Sequence, residues 1–366
     1  MTPPQESDWL NQLKGYRQKI DALDDQILKL LNDRARCAQA VGHLKSEHGE
    51  PTVYRPEREA EVLQRVMDQN QGPLRSQVVG RLFREVMSAC LALERPLSAA
   101  YLGPIGTYSQ QATEKHFGHS AETHACSSID EVFHALETET VDYAVVPVEN
   151  STEGSVGRTL DLMVHTSLKI CGEVFLPIRH ALLSHQSNLA QINTVYVHPQ
   201  TLGQCQVWLH KYLPHAQTVT VASNAEAARR AAQEPDTAAI AGEQTSNLYQ
   251  IPIRHFPIQD DPNNITRFWV LGHQSVLPSG RDKTSLVLSA ANRPGAVFEL
   301  LRPLAQHQVS MSRFESRPSK TGTWEYLFFI DLEGHQTDTK VSNALEILKE
   351  QSPFLKLLGS YPIALL

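Results

Sequence analysis

Two cations lie on an otherwise apolar helical stripe near the N-terminus. Arg34 and Lys45 are eleven residues apart, and this spacing returns them to within about 20° of each other after three helical turns. Ala38 and Val41 share the stripe. Long basic side chains can snorkel at the edge of an interface, which is the purely structural alternative. The chemical interpretation is an anion site inside a helical bundle, which Arg17 could complete from a second copy of the chain.

Further along the chain, loops rich in hydroxyl and amide side chains adjoin predicted strands. Residues 102–109 and 147–154 each follow a strand, and residues 264–268 lead into one. The carboxyl ends of parallel strands are the usual ligand sites of α/β folds, and helix N-termini suit carboxylates. Arg267 adds a fixed cation. A single loop of this kind is more often an ordinary turn than a binding site. The prediction of a binding site therefore depends on all three loops taken together.

The elements that carry the two cations are helical. Apolar residues recur at helical spacing from Leu10 to Leu44, and neither proline nor glycine interrupts residues 18–41. We expect one helix of about 35–40 residues, a second from Pro56 to before Gly72, and a third over 74–94. These helices cannot bury the long apolar face alone, which predicts an intertwined dimer. A plain dimerisation arm is the structural alternative.

The middle of the chain, residues 99–275, alternates short β-rich runs with helical ones. The predicted strands are 99–102, 143–148, 194–197, 218–221, 238–241 and 268–271. The predicted helices are 109–117, one after Gly154, 202–212 and 225–233. This alternation implies parallel sheets covered by helices. The length suits two α/β lobes with a cleft between them.

The C-terminal part begins after a predicted linker at 276–283. Residues 284–366 give strand, helix, strand, strand, helix and strand, which is the ferredoxin-like order. We therefore expect a multidomain chain: an all-α domain at 1–96, a two-lobed α/β domain at 99–275 and an α+β domain at 284–366.

Composition narrows the class of protein. The net charge of −7 disfavours a nucleic-acid binder, and no apolar run approaches the length of a membrane span. The N-terminus lacks the pattern of a secretory signal. Five scattered cysteines predict reduced thiols in the cytoplasm. The 16 histidines show no metal-binding spacing, so we expect neither a metal nor a cofactor.

The helical motifs at residues 16–20, 30–34, 41–45 and 56–59 resemble the all-helical class of chorismate mutase. The resemblance implies that Arg17, Arg34 and Lys45 bind the two carboxylates of chorismate, with Arg58 beside them. Lys45 would also donate to the ether oxygen, and Glu59 would contact the ring hydroxyl. The substrate rearranges in a compact chair without a covalent intermediate, by conformational selection and electrostatic stabilisation.

Three positions depart from the mutase pattern. Arg55 follows Tyr54 where an aspartate is expected, Cys90 replaces a serine and Glu94 replaces a glutamine that donates to the ether oxygen. An ionised carboxylate cannot donate, but a protonated carboxyl can. We therefore expect mutase activity to fall as Glu94 ionises with rising pH. A weakened mutase domain is the alternative.

The three loops, together with residues 198–200, 204–205 and 223–225, resemble prephenate dehydratase across 99–275. The resemblance implies that prephenate loses carbon dioxide and its ring hydroxyl to give phenylpyruvate, without a cofactor. Thr266 would be catalytic, hydrogen-bonding or protonating the leaving hydroxyl, with a relay from another group. Arg267 would grip a carboxylate or organise the loop. The other candidate binding residues are Thr107, Ser109, Asn150, Ser151, Thr152, Gln204, Ser223 and Phe268.

Two C-terminal motifs, at 292–297 and 315–318, resemble the phenylalanine-binding motifs of the ACT regulatory domain in this enzyme family. The predicted ligand residues are Asn292, Pro294, Gly295, Ala296, Val297, Glu315, Ser316 and Arg317. The hypothesis is that L-phenylalanine binds between two ACT domains and favours a less active arrangement. A purely structural dimerisation module is the alternative.

The resemblances together predict a bifunctional enzyme of phenylalanine biosynthesis with feedback inhibition. Its partners would be chorismate, prephenate, L-phenylalanine and further copies of the chain, in a dimer or a tetramer. A dehydratase whose helical arm serves for dimerisation, and a non-catalytic amino-acid sensor, are the alternatives. The cations at Arg17, Arg34 and Lys45 and the sequence 266–268 argue against them.

Overall fold

The structure is a computed structural model that describes residues 4–49, 54–290, 293–319 and 326–365. Helix α1 spans Pro4–Glu47, α2 spans Pro56–Gln69 and α3 spans Ser76–Ala92. The predicted helical region is confirmed, and α1 is longer than expected, at 44 residues. Much of its apolar stripe is exposed, including Ile20, Leu23, Ile27 and Leu30. Within the described chain, α1 packs on α3 but leaves that stripe uncovered.

The first α/β lobe follows directly. Its elements are β1 Ser98–Leu102, α4 Tyr108–Phe117, β2 Glu122–Cys126, α5 Ile129–Glu137, β3 Tyr143–Asn150, β4 Gly154–Ser155, α6 Gly157–His165 and β5 Lys169–Pro177. The chain then crosses to the second lobe and returns as β11, Ile265–Gly272. The sheet order is β2-β1-β3-β11-β5, with β4 paired to β3.

The second lobe lies between those two crossings. Its elements are β6 His180–Leu183, a 3₁₀ turn Leu189–Gln191, β7 Thr194–Val197, α7 Pro199–Gln204, α8 Gln206–Tyr212, β8 Gln217–Thr220, α9 Asn224–Ala231, β9 Thr237–Gly242, α10 Gln244–Tyr249 and β10 Ile253–His255. The sheet order is β10-β6-β9-β7-β8.

The prediction of parallel sheets needs correction. Strands β1, β2 and β3 are parallel, but β11 runs antiparallel to both β3 and β5, and β6 runs antiparallel to β9. The reason is the double crossing, because a returning chain inserts its strand in the opposite direction. Strands β2, β4, β5, β6 and β10 and helices α5 and α10 were not predicted. The predicted helix at 202–212 is divided at Cys205 into α7 and α8.

The C-terminal domain has the predicted βαββαβ order. Its elements are β12 Asp282–Ser289, α11 Ala296–Gln306, β13 Met311–Pro318, β14 Tyr326–Glu333, α12 Thr339–Gln351 and β15 Leu355–Pro362, in sheet order β13-β14-β12-β15. The predicted linker ends too late, because β12 already begins at Asp282 and Lys283 is buried against Glu173.

One face of this C-terminal sheet is covered by its own helices, and the other packs on the first lobe. Val287, Phe329 and Leu358 share a buried core with Trp269 and Ile170. Gly359 lies so close to Ile170 that a Cβ at this position would be 2.3 Å from the Ile170 carbonyl oxygen. The close approach fixes the C-terminal domain against the strands that carry the central cleft.

Candidate active sites

The predicted mutase residues surround one cavity of about 400 Å³ between the N-terminal helices. Of the predicted set, its lining includes Arg34, Lys45, Arg58, Glu59, Cys90 and Glu94. Helix α1 positions Arg34 and Lys45 three turns apart, as the spacing predicts. Cys90 lies in the last turn of α3, which ends at Ala92, and Glu94 lies in the turn that follows, where its N–H donates to the Leu91 carbonyl at 2.9 Å. The structure therefore brings these side chains together, and their individual roles stay predictions.

Basic groups outnumber acidic ones around this cavity. Its cations are Arg34, Lys45, Arg55, Arg58 and Arg65, and its carboxylates are Glu59 and Glu94. Lys45 Nζ lies 3.6 Å from Glu94 Oε2. Burial raises the pKa of Glu59, and the nearby Arg84 guanidinium opposes that rise. The cationic surplus suits a small ligand with more than one negative charge.

Arg17 does not lie at this cavity within its own chain. It is exposed on α1, and a helical rise of about 1.5 Å per residue places it roughly 25 Å along the helix from Arg34. The prediction that Arg17 acts from a second copy is therefore consistent with its position, and a second copy is needed to bring it to the cavity.

The sequence analysis missed Arg84, which contacts the cavity residue Glu59, and Phe117, which lines the cavity. Arg84 on α3 donates from Nε to Glu59 Oε1 at 3.1 Å and from Nη1 to the Lys115 carbonyl at 3.0 Å. Phe117, from the α/β domain, lines the cavity wall. Neither has a local motif, because both depend on how the helical domain packs against α4.

A second cavity, of about 330 Å³, lies between the two α/β lobes. The predicted residues that line it are Thr107, Ser109, Asn150, Gln204, Ser223, Thr266 and Phe268. Thr107 caps α4 in the first lobe and Ser223 caps α9 in the second, each accepting a hydrogen bond from its own helix. Two helix N-termini thus border one cleft, where their free N–H groups favour anions.

The orientation of Thr266 follows from the side chain of Asn150. Asn150 Oδ1 accepts from Thr152 N at 3.0 Å, Thr152 Oγ1 at 2.6 Å and Glu153 N at 3.1 Å. Because backbone N–H groups can only donate, this oxygen is fixed and Nδ2 must face the other way. Nδ2 donates to Thr266 Oγ1 at 2.8 Å and to Asn264 Oδ1 at 2.8 Å. The Thr266 hydrogen is therefore left for a group in the cleft.

The structure does not place Ser151 and Thr152 on the cavity wall. Ser151 Oγ accepts from Ile265 N at 3.0 Å, and the Thr152 hydroxyl donates to Asn150. They hold the loop against the strand that carries Thr266. Asn264, Tyr108 and His180 join the same hydrogen-bond network and were not predicted as site residues.

Arg267, predicted to grip a carboxylate or organise the loop, is not among the described residues that line the cavity between the lobes, and its role stays a prediction. Successive residues of a strand point to opposite faces, so Thr266 faces the cleft and Arg267 faces away from it. The guanidinium is buried and donates to Glu173 at 2.9 Å, Asp331 at 2.5 Å and the Tyr361 hydroxyl at 3.0 Å. The carboxylates that it grips belong to the protein, and they join the first lobe to the C-terminal domain.

The two predicted sensor motifs lie at one end of the C-terminal sheet. Gly295, at φ 80°, precedes α11, so Pro294, Gly295, Ala296 and Val297 form its approach and first turn. Glu315, Ser316 and Arg317 lie near the end of β13. Asn292 lies outside the described residues. Glu315 contacts Ser155, and Arg317 Nη2 donates to Asp161 at 3.2 Å, so this motif also touches the first lobe.

Two features of the described ranges bear on other ligands. None of their helices is long and apolar enough to cross a membrane. They also contain no group of histidine, cysteine, aspartate and glutamate side chains arranged for a metal ion.

Each of the three domains of the chain matches a known protein family. Models of chorismate mutase type II, prephenate dehydratase and the ACT domain match residues 16–95, 99–276 and 284–350. A bifunctional chorismate mutase/prephenate dehydratase of Neisseria gonorrhoeae is 54% identical, covering 96% of this chain and 97% of the relative. One from Pseudomonas aeruginosa is 47% identical, covering 97% and 99%.

A solved structure gives the same result for the last two domains. Prephenate dehydratase from Arthrobacter aurescens, in complex with L-Phe, has a TM-score of 0.68 and 32% identity, covering 73% of this chain and 90% of that one. The fold and the two cavities thus define an enzyme that joins a mutase, a dehydratase and an ACT domain. The chain belongs to the bifunctional chorismate mutase/prephenate dehydratase family.

Proposed function

We propose that the two cavities catalyse successive steps. Chorismate rearranges to prephenate in the helical domain, residues 1–96, and prephenate gives phenylpyruvate in the cleft of residues 99–275. L-phenylalanine binds the domain at 284–366 and lowers dehydratase activity. Neither step needs a cofactor. The described cysteines carry free thiols, which supports a cytoplasmic location.

In the mutase cavity, the cations hold both carboxylates of chorismate, and so select its compact chair. The ether C–O bond breaks as the new C–C bond forms within the same molecule. Lys45 donates to the ether oxygen as negative charge develops there. Glu94 Oε2 lies 3.6 Å from Lys45 Nζ, so Glu94 contacts the group that donates to the ether oxygen. Arg84 positions Glu59 for the ring hydroxyl through its 3.1 Å hydrogen bond.

In the dehydratase cleft, the N-termini of α4 and α9 receive the carboxylates of prephenate. The C–C bond between the ring and its carboxylate breaks, and carbon dioxide leaves. The electron pair of that C–C bond enters the ring as the ring C–O bond breaks. The departing hydroxyl takes a proton and leaves as water, while the ring becomes aromatic. Thr266 donates to that hydroxyl. The observation that carries this role is the Asn150 Nδ2 bond to Thr266 Oγ1, which leaves the Thr266 hydrogen for the substrate.

The test is to replace Thr266 with alanine and to measure both reactions on the same preparation. Dehydration should fall by about a hundredfold or more, the usual range for a positioned proton donor, while chorismate is still consumed. Thr266→Ser keeps the hydroxyl and should retain much of the activity. Equal loss of both reactions in Thr266→Ala would remove the proposed role.

The exposed stripe of α1 supports assembly of copies of the chain. A stripe that includes Ile20, Leu23, Ile27 and Leu30 is too apolar to remain in water over so long a helix. Pairing with a second α1 would bury it and bring Arg17 of one copy to the cavity of another. A dimer is the smallest assembly that meets both needs.

A further inference from the structure

We propose that His180 is a positioning residue for the dehydratase reaction, holding Gln204 in the orientation that the cleft requires. The inference rests on the proposed function of that cleft. His180 is the first residue of β6, just after the chain crosses from the first lobe to the second, and it is 1% exposed. It lies outside all of the sequence motifs that predicted the dehydratase site.

His180 connects the two lobes through both ring nitrogens. Nδ1 lies 2.8 Å from the hydroxyl oxygen of Tyr108, on α4 of the first lobe. Nε2 lies 2.8 Å from Gln204 Oε1, on α7 of the second lobe. The ring also packs edge-on against the Tyr108 ring, with centroids 5.6 Å apart. A side chain in this place sets where Gln204 stands relative to the first lobe.

The direction of each hydrogen bond that leads to Gln204 follows from the backbone. The N–H groups of Thr152 and Glu153 fix the Asn150 amide, whose Nδ2 donates to Asn264 Oδ1. Asn264 Nδ2 must then donate to Gln204 Oε1, at 2.9 Å. An amide oxygen only accepts, so His180 Nε2 carries a hydrogen.

The same reasoning gives the state of the rest of the ring. Burial lowers the pKa of His180, which favours the neutral ring. With its hydrogen on Nε2, the neutral ring has a bare Nδ1 that faces the Tyr108 hydroxyl. The single hydrogen of that hydroxyl is shared between Nδ1 and the Arg179 carbonyl oxygen, each 2.8 Å away, so the tautomer is selected at the Gln204 end of the ring. The chain runs from Tyr108 through His180 to Gln204, which lines the cleft beside Thr266.

Gln204 has no comparable support on its other end. Its Nε2 is 3.3 Å from Thr152 Oγ1 and 3.4 Å from Glu153 Oε1, both long bonds. Without the His180 donor, the Gln204 amide keeps the bond from Asn264 and gains freedom to rotate. Misplacement of a polar group that lines the site should reduce turnover more than substrate binding.

The test compares two substitutions with matched controls. His180→Leu fills the space without a donor, and His180→Gln keeps an amide N–H that can reach Gln204. His180→Leu should lower dehydratase kcat roughly tenfold with a smaller change in KM, and His180→Gln should recover most of the loss. Mutase turnover, measured on the same samples, reports whether each variant is folded.

Two results would overturn the role of His180. One is that His180→Leu keeps the full dehydratase kcat, and the other is that the leucine and glutamine variants are equally impaired. If His180→Leu does not fold, Tyr108→Phe gives the answer, because it removes the hydroxyl that holds His180 Nδ1 and keeps the aromatic ring. Unchanged kcat in Tyr108→Phe would then overturn the proposal. A wild-type chain without dehydratase activity would instead remove the proposed function of the cleft.

Discussion

The hydroxyl of Ser155 donates a hydrogen bond to the carboxylate of Glu315. Ser155 ends the loop that begins at Asn150, and Glu315 belongs to the second sensor motif. Arg313 reinforces the contact, since its Nη2 donates to Ser155 Oγ at 3.0 Å and its Nε lies 3.3 Å from Glu149 Oε2. The sensor strand β13 therefore contacts the residue before Asn150 and the end of its loop. A ligand at this motif would bear directly on the dehydratase cleft.

Ser155→Ala should weaken feedback more than catalysis. Removal of the hydroxyl breaks the link to Glu315 but leaves the cleft wall intact. We expect the phenylalanine concentration for half-inhibition to rise about fivefold or more, corresponding to loss of about 1 kcal/mol of coupling. Dehydratase kcat without phenylalanine should stay within about twofold. Inhibition curves, with calorimetry of phenylalanine binding, measure both.

The matched control is Ser187→Ala, which removes an exposed hydroxyl far from β13 and should leave inhibition unchanged. If Ser155→Ala is inhibited like the wild type, the contact does not transmit feedback. If calorimetry detects no phenylalanine binding to the wild type, the assignment of the C-terminal domain as a phenylalanine sensor is wrong.

Glu94→Gln should raise mutase turnover. In the wild type, Glu94 Oε2 lies 3.6 Å from Lys45 Nζ, and a carboxylate oxygen there accepts hydrogen bonds but does not donate them. The glutamine variant places an amide N–H at the same position, which can donate to the ether oxygen of the substrate. We expect its mutase kcat to exceed that of the wild type by about fivefold, the effect of roughly one added hydrogen bond. Mutase rates of the two proteins, measured side by side, give the comparison.

The control for this substitution is Glu85→Gln, on α3 but paired with His119 at the surface. It should keep the wild-type mutase rate. Equal rates in Glu94→Gln and the wild type would contradict the proposed benefit of a donor at this position.

Arg17 and Arg34 should complement each other between copies. If each mutase cavity takes Arg34 from one chain and Arg17 from another, Arg17→Ala and Arg34→Ala should each be inactive. Co-refolding equal amounts should restore about a quarter of wild-type mutase activity, because half of random dimers carry one intact cavity of two. Dehydratase activity should persist throughout. Mixtures that stay inactive would show that the cavity is not shared in this way.

His116 should make the protein sensitive to acid. It lies buried on α4, with Nε2 3.1 Å from the Tyr54 hydroxyl oxygen. Burial, together with the nearby Arg84 charge, lowers the pKa of His116 from 6.5 to about 3. Between these values the unfolded chain binds a proton that the folded chain does not, so stability falls as pH drops from about 6.5 towards 3. At pH 5 the contribution is about 2 kcal/mol.

Urea unfolding at pH 7 and pH 5 tests this effect. His116→Gln lacks the titrating group and should lose less stability than the wild type between the two values. The control is His119→Gln, because His119 is an exposed histidine three residues after His116. Equal losses in wild type and His116→Gln would contradict the assignment.

The sequence predicted what depends on short-range pattern. Helical periodicity placed Arg34 and Lys45 on one stripe, and the βαββαβ order follows from alternation within single elements. The insertion of β11 between β3 and β5 was not predicted, because pairing across the chain leaves no local signal. His180, Arg84 and Phe117 were missed for the same reason, since each acts across a lobe or domain boundary.

The position of Arg267 away from the cleft could have been inferred from the sequence. Period-2 alternation along a strand places Thr266 and Arg267 on opposite faces. Adjacency in one motif is therefore a weak reason to assign both residues to the substrate. The structure shows that the motif combines a residue for the cleft with one for the contact to Asp331.

The central claim is that one chain carries out both reactions. It is tested most directly by supplying chorismate to the purified protein, without any cofactor, and following prephenate and phenylpyruvate separately. We expect prephenate to form and phenylpyruvate to accumulate, with the second step slowed by phenylalanine. Consumption of supplied prephenate but not of chorismate would contradict the claim, and would reduce the helical domain to a dimerisation arm.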